Sequence, residues 1–147
     1  MKTFLLSTII ALLSLGHSYA QREVFVKSDA AIQGYDPVAY FKKAMPVKGR
    51  PEFAYKWKDA NWYFSSQQNL NDFKANPEIF APQFGGYCAY GMAEGHKAST
   101  SPDAWTVLDN KLYLNYNKSV KELWDKDRPG YIEKANRNWP TVKHDRD

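Results

Sequence analysis

A single cysteine, Cys88, in a chain of 147 residues excludes any internal disulfide, so the fold has to be held by what its core buries. Aromatic side chains supply that core. The sequence carries five Trp, ten Tyr and eight Phe, spaced in pairs and triplets along the chain, and each ring removes a large apolar area from water. The length suits one compact domain.

The rings fall into patterns that predict secondary structure. Phe53-Ala54-Tyr55-Lys56-Trp57 alternates apolar and less apolar positions, Lys58-Asp59-Ala60-Asn61 reads as a turn, and Trp62-Tyr63-Phe64 returns. A second hairpin is predicted from Ala104-Trp105-Thr106-Val107-Leu108 through Asp109-Asn110-Lys111 to Leu112-Tyr113-Leu114-Asn115-Tyr116. Ser65 or Ser66 is placed to cap a helix through Ala75, and Asn117 to cap one from Lys118 with Val120, Leu123 and Trp124 on one face. Pro129 suits the first turn of a last helix, buried along Ile132, Ala135 and Trp139 and stopped at Pro140. Gly34-Tyr35-Asp36-Pro37 reads as a turn before a short apolar element, Val38 to Phe41, of either type. The expected class is α+β: a single small domain, residues 21–147, with two antiparallel β-hairpins packed against short helices and two C-terminal helices.

Met1 to Ala20 has the composition of a secretory signal peptide: Lys2, an apolar stretch from Phe4 to Leu15, and small residues before the cleavage position. That stretch is short for a bilayer span and no second long apolar run follows, so a periplasmic or secreted chain without a membrane anchor is expected. Its removal takes away one unit, Lys2, of a formal charge of +4. The remaining charges of both signs are interspersed, which argues against a nucleic-acid partner.

In an exported chain a lone cysteine reads as a buried small hydrophobe, a metal thiolate, a redox thiol or an intermolecular link. Cys88 sits in Phe84-Gly85-Gly86-Tyr87-Cys88-Ala89-Tyr90-Gly91, where two glycines allow close backbone approach and delivery of the thiol into a pocket. Tyr35, Asp36, Tyr87 and Tyr90 are candidate ligand-binding residues around it. Cys88, Met92 and His96 follow at i, i+4 and i+8, so an uninterrupted helix would align thiolate, thioether and imidazole, a donor set suited to Cu(I). Gly91 and Gly95 argue against that helix. Trp57, Trp62, Trp105 and Trp124 are candidates to line an aromatic pocket. No nucleophile elbow, phosphate-binding glycine loop or paired-histidine zinc helix occurs in the sequence.

Asp36-Pro37-Val38, Trp62-Tyr63-Phe64-Ser65-Ser66, Phe73 and Asn76-Pro77-Glu78 resemble the YHS domain of copper-transporting ATPases and some hydroxylases. Phe84 to Gly91, Ala104-Trp105, Leu112 to Asn115 and Asn138-Trp139-Pro140 extend that resemblance to the exported YHS-domain proteins, over nearly all of residues 21–147. The resemblance implies a metal-handling module, and, from selenocysteine at the Cys88 position in some exported members, a reactive chalcogen. Where metal-binding members carry cysteines, this chain has Ala39, Ser65 and Asn69, so a multi-thiolate zinc site does not carry over. Three functions are therefore expected in turn: a binding protein handling a soft metal such as copper through Cys88, Met92 and His96; a thiol redox protein or enzyme using Cys88; or a structural or small-molecule-binding domain with an inert Cys88.

Overall fold

Three hairpins turn in the same way. The computed structural model describes residues 22–147, so the signal-peptide reading of Met1–Ala20 lies outside the described residues. Within them β1 (Val26–Lys27) pairs with β2 (Ala30–Ala31), β3 (Arg50–Trp57) with β4 (Ala60–Phe64), and β5 (Trp105–Leu108) with β6 (Lys111–Leu114), all antiparallel. Their connections, Ser28-Asp29, Lys58-Asp59 and Asp109-Asn110, have positive φ at both residues, the left-handed backbone that a tight two-residue hairpin requires and that Asp and Asn tolerate best. The two larger hairpins are those expected from the ring pattern, with turns two residues long. The first is a finding, because Ala30-Ala31 carries no strand signal.

Six helices complete the α+β domain: α1 (Pro37–Lys42), α2 (Gln67–Ala75), α3 (Pro77–Phe80), α4 (Ala89–Ala93), α5 (Lys118–Asp125) and α6 (Arg128–Val142). Their starts follow local chemistry. Ser66 accepts from Asn69 N–H at 3.1 Å, Asn117 from Val120 N–H at 2.8 Å, and Asp127 from Gly130 N–H at 3.1 Å, each satisfying a donor that the first turn leaves free. Two expectations are corrected. Pro140 does not stop α6, which runs to the buried Val142; burial of that side chain holds the last turn although proline donates no hydrogen bond. Leu123 does not dock, being 42% exposed, because Trp124 takes the core-facing position of α5.

The interior consists of two packed clusters. Trp62, Phe64 and Phe73 centre the first, with Ile32, Val38, Tyr40, Leu112 and Leu114. Trp124 centres the second, with Phe25, Phe84, Met92, Tyr113 and Ala135. β6 divides them: alternation along the strand sends Leu112 and Leu114 to one side and Tyr113 to the other. No helix among the described residues is long and apolar enough to cross a membrane. Trp124 is fully buried against Tyr113, with ring centroids 5.4 Å apart. Trp124→Ala should cost about 3–5 kcal/mol in denaturant unfolding, and truncation after Tyr116, which removes α5 and α6, should abolish the cooperative thermal transition.

Candidate functional site

Cys88 caps α4 from inside the protein. It is 1% exposed. Its Sγ accepts from Gly91 N–H at 3.4 Å and Tyr116 N–H at 3.3 Å, and its thiol donates to Asn115 Oδ1 at 3.5 Å. The same Oδ1 accepts from Tyr90 N–H at 3.0 Å, which fixes the amide with its oxygen, not its nitrogen, toward the sulfur. A protonated thiol fits this arrangement, since a thiolate would face the Asn115 oxygen without a proton between them. Burial pushes the Cys88 thiol up in pKa, against the opposing pull of the Gly91, Tyr116 and Tyr90 backbone N–H groups. A redox thiol needs the opposite shift.

The sequence-derived copper trio does not form one helical face. α4 ends at Ala93, and Gly95 turns the chain with φ +91. Met92 is fully buried in the second core, whereas His96 lies exposed beyond the turn. Among the described residues no group of three His, Cys, Asp or Glu side chains converges on a metal-sized site.

Gly85-Gly86 serve a different purpose from the one expected. A Cβ at Gly85 would lie 1.7 Å from the Glu23 carbonyl oxygen, and one at Gly86 would lie 2.5 Å from Ile32 Cγ2. Phe25 N–H donates to Gly85 O at 2.9 Å. Gly85 admits the segment at Glu23–Phe25 and Gly86 admits the Ile32 side chain.

The proposed ligand residues Tyr35, Asp36, Tyr87 and Tyr90 are dispersed. Tyr35 bridges to Lys48, whose ammonium lies 4.8 Å over its ring. Tyr90 stacks on Tyr131 at 5.1 Å. Tyr87 donates to Asp147 Oδ1 at 2.6 Å beneath Lys97, whose ammonium bonds Arg22 O, Asp145 O and Asp147 Oδ1 at 2.8, 2.6 and 3.1 Å. These contacts fasten the C-terminal residues to the segment at Arg22.

Asp36 forms the most saturated polar centre. Fully buried, it accepts from Val38 and Ala39 N–H on Oδ1, at 2.9 and 3.3 Å, and from Ser65 N–H, Ser65 Oγ–H and Asn69 Nδ2 on Oδ2, at 2.8, 2.6 and 2.8 Å. Ala39, Ser65 and Asn69 thus meet around one carboxylate. The positions at which the YHS resemblance would place thiolates here supply donors that join α1, the end of β4 and α2.

A cluster of aromatic side chains meets elsewhere. A cleft of about 130 Å³ opens at the seam of the two cores. Trp57, Trp62, Phe84 and Trp139 are among the residues that line it, together with Glu23, Lys58 and Glu78. Trp57 and Trp62 pack at 5.9 Å, Trp62 Nε1 donates to Trp57 O at 3.1 Å, and Phe84 meets Trp139 edge-on at 6.1 Å. Phe84 has φ 57, a strained backbone for a bulky residue, and strain of this kind concentrates at functional surfaces. Of the four tryptophans expected to line an aromatic pocket, Trp57 and Trp62 border this cleft. That expectation missed Trp139, which is 77 residues from Trp62 in sequence and joins through the docking of α6, while Trp105 and Trp124 pack in the two cores instead. Comparison of the chain with family models, curated proteins and solved structures finds no match.

Two outcomes follow from the buried centres. Asp36→Ala should destabilise by about 3 kcal/mol or more, since it removes a helix cap and orphans several buried donors together; urea unfolding measures it. For Cys88, a folded-state pKa above the unfolded one means that the native state retains its proton while the unfolded thiol ionises, so stability falls as pH rises past about 8.5. The wild type should therefore lose thermal midpoint above that pH more steeply than Cys88→Ala, and native Cys88 should resist alkylation until the protein is unfolded.

Proposed function

We propose that this chain is a small-molecule-binding domain whose ligand site is the tryptophan cleft and whose Cys88 is structural. The observation that carries the reading is the cleft itself: Trp57, Phe84 and Trp139 come from the end of β3, a strained turn and the last helix to border one space with charged groups on its lining. Aromatic rings beside placed polar groups can orient a ligand, and the volume restricts the occupant to a compact group smaller than a drug-sized molecule.

Copper handling at Cys88, Met92 and His96 is the competing reading. It asks Sγ to leave its Gly91, Tyr116 and Asn115 partners and Met92 to leave a packed core, although the Gly95 turn folds His96 back against Gly91, with its N–H donating to Gly91 O at 3.1 Å. A thiol redox function asks for an accessible thiolate at the same buried atom.

Ligand-observed NMR against a set of compact neutral and charged ring or head-group compounds tests the proposal. Compounds should bind at millimolar to micromolar strength, change tryptophan fluorescence, and keep binding to Cys88→Ala. A blank screen would defeat the cleft reading. Cu(I) uptake in competition with a chelator, abolished by Cys88→Ser, would restore the copper reading in its place.

A further inference from the structure

Taking the cleft as the binding site proposed above, we infer that its ligand is a small organic cation, an alkylated ammonium head group, and that Lys58 holds the place of that cation in the free protein. Three observations converge. Of the four rings that border it, Trp62 and Phe84 are buried, and Trp57 and Trp139 keep part of their surface open; indole rings attract cations through the negative centre of the ring more strongly than other side chains do. Two of the three charged groups on the lining are carboxylates, Glu23 and Glu78, and each is met by a lysine, Lys143 and Lys58, so the cleft already holds cations beside its carboxylates. The third is Lys58, whose ammonium sits 4.8 Å over the Trp57 ring and 3.7 Å from Glu78 Oε1.

Lys58 therefore makes, within the chain, the contacts that an incoming ammonium would make: one aromatic face and one carboxylate. It makes them loosely. Its side chain is 43% exposed, and that of Glu78 is 74% exposed, so the pair contributes little stability and is displaced at small cost. Lys58 is also a residue of the β3–β4 turn, on a side chain long enough to swing into water. An alkylated ammonium has the advantage over the lysine head, because it is less strongly hydrated and presents methyl groups to several ring faces at once. Glu23 meets Lys143 Nζ at 3.3 Å, leaving Glu78 as the carboxylate that Lys58 releases to the ligand.

Choline and its uncharged isostere 3,3-dimethylbutan-1-ol distinguish shape from charge. Calorimetry and tryptophan fluorescence on the chain with its cleft intact should show choline binding roughly tenfold or more tighter than the isostere. Glu78→Gln, an exposed and fold-neutral change, should weaken choline several-fold. Lys58→Met should tighten it by roughly three- to tenfold, because the internal competitor is gone. Trp57→Leu should remove binding; should that variant fail to fold by circular dichroism, the Lys58 and Glu78 variants still decide. Equal binding of the two probes would overturn the cation assignment and leave the cleft standing as a binding site. Choline binding indifferent to all these variants would overturn it as well, by placing the cation elsewhere. Neither probe binding, beside other compounds that do bind in the NMR screen, overturns only this inference, whereas a blank screen removes the site itself.

Discussion

The two-sided burial of β6 is the constraint on which the domain depends. Leu112 and Leu114 are in one core and Tyr113 in the other, so a slip of one residue would invert both interiors at once. The strand is locked just beyond its end. Asn115 pairs through its backbone with Ala104 and Ser101 and through its side-chain oxygen with the start of α4, while Tyr116 N–H reaches the Cys88 sulfur. Cys88 earns its place there as a compact group that accepts two amides and donates one proton. Serine would offer a shorter bond length to the same partners, and alanine none.

A second lock works by the same chemistry on the other side. Asp36 gathers donors from three elements around a carboxylate withdrawn from water. A buried carboxylate is tolerated only when its oxygens are satisfied, and here both are. Lys42 adds charge at the margin, donating to Asn69 Oδ1 at 3.3 Å and pairing with Asp72. In a domain without disulfides, these polar centres specify which segments meet, while the rings supply the bulk of the stabilisation.

The cleft exists because the two cores do not merge. Glu23–Phe25 threads between them, admitted by Gly85, and the strained Phe84 turns its ring toward Trp139. The Lys97–Tyr87–Asp147 contacts hold that segment against the C-terminal residues, so the walls of the cleft are held by long-range contacts, and its lysine alone sits on an exposed turn. A rigid aromatic wall beside a movable charge is an arrangement suited to exchange of one cation for another.

Much of this architecture was legible in the residues alone. Alternating rings specified the two larger hairpins, because a pleated strand exposes alternate side chains to one face; Ser66 and Asn117 marked helix starts, because their side chains satisfy the free donors of a first turn. The Ala30-Ala31 strand was not legible, since two alanines carry no period and pair only because Val26 and Lys27 are brought opposite. The functional reading divided in the same way. Sequence showed that Cys88 was alone and that Met92 and His96 stood at helical spacing, but only the folded chain, by ending α4 at Ala93 and burying the thiol against Asn115, decided what that spacing was worth. Trp57 and Trp62 stood on the two arms of a predicted hairpin, whereas Trp139 reached them through tertiary docking. Local hydrogen bonding and periodicity are encoded within a few residues; a cleft is made of surfaces that meet only when distant segments pack.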